Sequence, residues 1–134
     1  MNKDAPILQA LVVEDDPDAA TIYASALQSV GFETEVARTG AQALEQLKRS
    51  APALLVLDMH LPQVAGATIL DYIQANERLG DVLVIIVTGD RALADDRAFQ
   101  RRQVVQILVK PVTYSRLRDL AQLLKLSNWG AHHE

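Results

Sequence analysis

The run "LLVLDMHLP", Leu54 to Pro62, decides how this chain folds. Four apolar residues lead without a polar break into one acid, Asp58. A continuously apolar run of this length is the pattern of a strand buried on both faces of a parallel sheet. A carboxylate at its end is costly if it is desolvated and unpaired. Asp58 therefore either sits at an exposed strand end or meets partners brought by other parts of the chain.

Outward from this run, short β-rich stretches alternate with longer helical patterns. Strands are predicted at Ile7 to Val13, Thr34 to Ala37, Ala53 to Leu57, Val82 to Val87 and Val104 to Val109. Helices are predicted at Pro17 to Ser29, Gly40 to Ser50, Ala67 to Leu79, Ala92 to Arg102 and Tyr114 to Leu126. Asp16-Pro17 reads as a helix cap followed by its first residue, Thr39 as a second cap, Gly31 as a left-handed stop and Pro52 as a breaker. In the last helix Tyr114, Leu117, Leu120, Ala121 and Leu124 share an apolar face, with Lys125 among the polar residues on the others. Five βα units imply a parallel sheet with helices on both faces, since the crossovers are right-handed.

The 134 residues suit one domain, expected over residues 6–126, with flexible ends at 1–5 and 127–134. His132-His133 reads as tail rather than as a metal site. A formal net charge of -4 and a pI near 5.3 give no basic field for nucleic acid or an anionic membrane. The chain has no cysteine, which excludes disulfides and thiolate chemistry and suits a reducing compartment. The longest apolar run, Val82 to Val87, is too short to span a bilayer, and the first residues lack the apolar segment of a secretion signal. A soluble cytoplasmic protein is expected.

In an open parallel sheet, ligands bind at the carboxyl ends of the strands, beside the point where strand order reverses. Those ends carry Glu14-Asp15-Asp16, Asp58, Thr88-Gly89-Asp90 and Lys110-Pro111. Clustered carboxylates repel one another unless a cation is present. An oxygen-only set suits Mg²⁺, which needs few protein ligands and keeps waters that a phosphate can replace. With Mg²⁺ and Lys110 neutralising oxygens, Asp58 could attack phosphorus and become an aspartyl phosphate, to which Thr88 would donate a hydrogen bond.

From Ile7 to about Leu126 the chain resembles the receiver domains of two-component response regulators. The resemblance rests on "VVEDD", "LVLDMHLPQVAG", "IIVTGD" and "LVKP", in that order, with Asp58, Thr88 and Lys110 at similar spacing and Pro62 and Gly66 in the loop after the acceptor. It implies a flavodoxin-like, doubly wound α/β sandwich with sheet order 2-1-3-4-5. It also implies Asp58 as phosphoacceptor, Asp15 and Asp58 as direct Mg²⁺ ligands, Glu14 as a ligand through water, and the His60 backbone carbonyl as a further ligand. Asp16 is better read as a cap, and Pro111 is expected to follow a cis peptide bond.

The implied partners are a histidine kinase or histidine phosphotransfer protein and a downstream output protein or domain. A homodimer through the face of the fourth helix, fifth strand and fifth helix is also implied, without nucleic-acid or membrane binding. The resemblance implies a module that catalyses its own phosphorylation without being a turnover enzyme. The resemblance also places His60 and Asp90 at positions that in the family tune loss of the phosphoryl group. Ile107 departs from the aromatic common three residues before the lysine, and Val112 from a frequent phenylalanine.

Two other classes compete. A degenerate receiver would serve as a constitutive binding or dimerisation surface. A haloacid dehalogenase-like phosphohydrolase would need a second aspartate two residues after the nucleophile, where this chain has His60.

Overall fold

The β-rich stretches become five strands: β1 (Gln9–Val13), β2 (Glu33–Ala37), β3 (Leu54–Asp58), β4 (Leu83–Thr88) and β5 (Val104–Val109). The computed structural model describes residues 7–95 and 103–129. The described helices are α1 (Pro17–Ser29), α2 (Gly40–Arg49), α3 (Gly66–Ala75) and α4 (Tyr114–Asn128). The sheet is parallel in the order β2-β1-β3-β4-β5, the expected one. The order reverses between β1 and β3, so the ends of these two strands lie side by side.

Alternation along each strand divides the core in two. Leu11, Val13, Leu55, Leu57, Val84 and Ile86 pack with Ala43, Leu47, Ile69 and Ile73 of α2 and α3. Ala10, Val12, Leu54, Val56, Ile85 and Val87 pack on the opposite face with Tyr23, Leu27, Leu117 and Ala121 of α1 and α4. Each fully buried Leu or Ile stabilises the fold by about 1.5–3 kcal/mol relative to exposure. β3 is buried at every position, including Asp58, which explains its lack of polar alternation.

The helix boundaries follow local chemistry. The Asp16 carboxylate accepts the Ala19 N–H at 3.1 Å, and the Thr39 hydroxyl accepts the Gln42 N–H at 3.1 Å. Gly31, at φ 99°, turns the chain out of α1 and lets the Phe32 N–H return to the Leu27 carbonyl at 3.1 Å. Thr113 caps α4 by accepting the Arg116 N–H at 3.2 Å, a start signal that the sequence reading passed over.

Several elements differ from expectation. The third helix stops at Ala75 rather than Leu79, because Asn76 is extended and its side-chain amide donates to the Tyr72 carbonyl at 2.7 Å. A 3-10 turn at Glu77–Leu79 follows and buries Leu79. Of the predicted Ala92 to Arg102 helix, the described part belongs to a 3-10 turn at Arg91–Asp95, begun where the Asp90 carboxylate accepts the Ala92 N–H at 2.9 Å. Residues 96–102 lie outside the described residues, as do 1–6 and 130–134 with His132 and His133.

The last helix runs to Asn128 rather than ending at Leu126, and Trp129 meets Phe32 edge to face with ring centroids 5.8 Å apart. This contact joins the residue after α4 to Phe32, just before β2. Tyr114 is exposed, with the Arg118 guanidinium 5.8 Å from its ring centroid. Lys125 is not a solvent-facing charge: its ammonium reaches back to donate to the Val30 carbonyl at 2.8 Å, linking α4 to the end of α1. β5 carries an irregularity opposite Val84 and Ile85, whose partners are Val104 and Gln106. This shift returns Ile107 to the α3 side of the sheet. No described helix is long and apolar enough to cross a membrane.

Candidate functional site

The carboxyl edge of the sheet gathers the predicted residues. Glu14 and Asp15 follow β1 directly, and the Glu14 N–H extends the ladder to the Ala37 carbonyl at 3.1 Å. Asp58 is the last residue of β3, in register with Val87, and Thr88 is the last of β4. Lys110 follows β5, tied by its N–H to the Thr88 carbonyl at 2.7 Å, and the Lys110–Pro111 peptide is cis, as expected. All five side chains thus stand on strand ends or one or two residues past them.

The side chains converge. The Lys110 ammonium lies 3.2 Å from Glu14 Oε1 and 3.4 Å from Asp58 Oδ2. Carboxylate oxygens of Glu14, Asp15 and Asp58 all lie within 4.8 Å of one another. Glu14 is fully buried and Asp58 is 2% exposed, whereas Asp15 is exposed. Glu14 Oε2 accepts the Asp16 N–H at 3.2 Å, but Oε1 receives no directed hydrogen bond; Lys110 faces it as an ion pair only.

Burial, followed by the neighbouring Asp58 carboxylate, pushes the Glu14 carboxyl up to about 7, against the opposing pull of the Asp16 N–H and Lys110. Lys110 is also desolvated, which would lower its pKa, but Asp58 and Glu14 outweigh that and raise it. The lysine stays cationic. Desolvation raises the pKa of Tyr23, a buried α1 residue that also feels the charge of Lys110.

The loop after Asp58 holds its shape by close approach. The Asp58 Oδ1 atom accepts the His60 N–H at 3.0 Å. The Val64 N–H closes a three-residue turn on the Pro62 carbonyl at 2.8 Å, with Gln63 at φ 69°. A Cβ on Gly66 would stand 2.8 Å from Met59 Cα and 3.0 Å from the Asp58 carbonyl, so only glycine lets α3 start this close to the acceptor strand.

Two contacts escaped the sequence reading. The Arg38 guanidinium donates to the Asp15 carbonyl from Nε at 3.3 Å and from a terminal nitrogen at 2.9 Å. Arg38 directly follows β2, and treating it as another strand-end charge would have flagged it. His60 Nε2 lies 3.1 Å from the Thr88 hydroxyl, a contact between loops that no local pattern encodes. Asp16 caps α1 and is not one of the clustered carboxylates. A groove of about 710 Å³ between β2 and α2, lined partly by Glu35, Glu45 and Arg49, lies apart from this rim.

A family model described as response regulator receiver domain matches residues 10–122. The regulatory protein LuxO of Vibrio vulnificus is 31% identical over 107 residues, which are 80% of this chain and 23% of LuxO, so the chain spans about a quarter of that relative. The polar-differentiation response regulator DivK of Brucella ovis is 26% identical over 106 residues, covering 79% of this chain and 86% of DivK. The fold matches the response regulator TrrA of Thermotoga maritima with a TM-score of 0.75 at 23% identity, over 88% of this chain and 99% of that one. The chain belongs to the receiver domains of two-component response regulators, the signalling modules of phosphorelays.

Proposed function

We propose that Asp58 accepts a phosphoryl group from a phosphohistidine of a histidine kinase or histidine phosphotransfer protein. The observation that carries this reading is the pairing of a nearly buried Asp58 with Lys110 at 3.4 Å inside a cluster of three carboxylates. An Asp58 oxygen attacks phosphorus, the new P–O bond forms as the P–N bond breaks, and the imidazole leaves with that electron pair and takes up a proton. Lys110 orients the attacking carboxylate and then pairs with the phosphoryl oxygens. Thr88 donates its hydroxyl hydrogen to one of them.

The residues present suit Mg²⁺. Glu14 Oε1 is buried without a directed hydrogen-bond donor, and burial first and the neighbouring Asp58 carboxylate second raise the Glu14 pKa, a cost of holding the charge that a cation relieves. Asp15, Asp58 and the His60 backbone carbonyl would hold the ion directly, with Glu14 acting through water. When bound, it supplies positive charge to the phosphoryl oxygens during transfer. The TrrA structure, which shares this fold, was solved in complex with Mg(2+)-BeF, in keeping with Mg²⁺ as the ion proposed here.

In this reading the added charge draws Thr88 and Lys110 inward and alters the surface near β5 and α4, to which an output partner or a second copy binds. Ile107, partly buried against the α3-side core, cannot act as a rotating aromatic there, so the loops of Thr88 and Lys110 carry the change. The protein works in the cytoplasm, as a signalling module rather than a turnover enzyme.

Incubation with acetyl phosphate and Mg²⁺, followed by intact mass, tests the reading. One added phosphate that requires Mg²⁺ and is absent in Asp58→Asn is expected. A chain that stays unmodified would be a binding scaffold, and sustained release of inorganic phosphate over many turnovers would make it a hydrolase.

A further inference from the structure

His60 enters the reading above only through its backbone, yet its imidazole has a defined place. Nε2 lies 3.1 Å from Thr88 Oγ1, and the same oxygen accepts the Asp90 N–H at 3.0 Å. Thr88 is fully buried and His60 exposed, so the bond reaches inward from the solvent side. A threonine hydroxyl has one hydrogen to give and two lone pairs to offer.

With Nε2 unprotonated, the imidazole takes the one hydrogen that Thr88 has. With Nε2 carrying hydrogen, His60 and Asp90 together fill both lone pairs and fix the oxygen in this rotamer. In either tautomer the hydroxyl oxygen is held in place by the loops after β3 and β4, through its hydrogen in the first and through its lone pairs in the second. Among the described residues no hydrogen bond joins it to Asp58.

From this geometry we infer that the His60 imidazole is a latch on Thr88: it holds the hydroxyl in the unphosphorylated state and must release it before Thr88 can serve a phosphoryl group on Asp58. The inference rests on the proposed role of Asp58 as acceptor. His60 is a positioning residue here, acting through Thr88. A latch of this kind lowers the fraction of molecules ready for the phosphoryl group, and the apparent affinity falls by the same fraction. One neutral hydrogen bond shifts such a balance roughly three- to tenfold.

The test is calorimetric titration of the full chain with beryllofluoride in the presence of Mg²⁺. His60→Ala is expected to bind roughly three- to tenfold more tightly than the parent chain. His60→Gln, whose side-chain amide can present an accepting oxygen or a donating nitrogen where Nε2 stands, is expected to return toward parental affinity. In a Thr88→Val background the gain from His60→Ala is expected to vanish. An unchanged or weaker affinity in His60→Ala, or an equal gain without the Thr88 hydroxyl, overturns the latch.

Nitrogen resonances of the His60 ring give a second readout. Thr88→Val and saturating beryllofluoride each remove the hydroxyl partner, so both are expected to move the Nε2 signal in the same direction. A signal that responds to neither overturns the inference. Binding by the parent chain without a gain in His60→Ala rejects the latch alone; absence of binding in every variant, with no Asp58 adduct from acetyl phosphate, rejects the acceptor reading as well.

Discussion

Two buried polar side chains at opposite ends of the sheet have opposite fates. Gln103, 8% exposed and just before β5, donates from one nitrogen to the Leu79 carbonyl at 2.8 Å and the Val82 carbonyl at 2.9 Å. Glu14, fully buried just after β1, holds one oxygen without a directed donor, and its pKa is forced up to about 7. At the amino edge a buried polar group is satisfied and ties a 3-10 turn to the sheet. At the carboxyl edge one buried carboxylate oxygen faces only the Lys110 ammonium, at 3.2 Å, in a cluster of three carboxylates. The contrast separates the part of the fold built to persist from the part built to react.

Breaking the satisfied end is expected to give the largest effect. Gln103→Leu keeps much of the side-chain volume but removes both donated hydrogen bonds, taking the side-chain donor from the Val82 carbonyl and leaving the Leu79 carbonyl with the Val82 N–H at 3.2 Å alone. A loss of about 2–3 kcal/mol is expected from urea unfolding, since unsatisfied buried groups cost more than satisfied ones return. The fraction phosphorylated by acetyl phosphate should be unchanged under native conditions. Unaltered stability would show that this end is no better satisfied than the other.

Relieving the strained end should act in the opposite direction. Because the folded-state pKa of Glu14 is raised above the ordinary 4.5 to about 7, the folded protein holds that proton more tightly than the unfolded chain. The associated stability is present below about pH 4.5, falls as pH rises, and is gone above about 7. Glu14→Gln cannot ionise, so without metal it should be more stable than the parent at pH 8 by about 1–2 kcal/mol. The difference should vanish near pH 4.5, and Mg²⁺ should narrow it at pH 8 by stabilising the parent alone. Equal urea midpoints at pH 8 without metal would remove the case for an under-satisfied carboxylate.

The two ends also differ in how far the sequence disclosed them. Asp58, Thr88 and Lys110 end or follow apolar runs, so their convergence follows from strand polarity and sheet order alone. Local caps at Asp16 and Thr39 were equally readable, because donor and acceptor lie three residues apart. Gln103 gave no such signal: its partners, Leu79 and Val82, are more than twenty residues away and present only backbone atoms. The end of α3 was obscured because Tyr72, Ile73, Leu79 and the residues between them fit a helical pattern until Asn76 bonds back to Tyr72. The irregularity in β5 was hidden for a related reason, since Val104 and Val105 both suit a strand whichever face they take. The His60–Thr88 contact required knowing that two loops meet.

Arg38 sharpens the contrast at its smallest scale, because it supports the reactive end without belonging to the charge cluster. Its guanidinium grips the Asp15 carbonyl through two nitrogens, so it restrains the backbone that presents the exposed Asp15 carboxylate. Removing that restraint leaves every carboxylate in place but gives Asp15 more conformations to lose on binding an ion. Arg38 is also a cation near three acids, and its loss strengthens their attraction for Mg²⁺ through a long-range term that salt screens. The two effects oppose one another, and ionic strength separates them. In Arg38→Gln the Mg²⁺ affinity is expected to fall by about two- to fivefold at high salt, where lost positioning dominates. At low salt the deficit should shrink. A deficit independent of salt would assign Arg38 a purely mechanical role, and an affinity that rises at high salt would show that Asp15 does not need the grip.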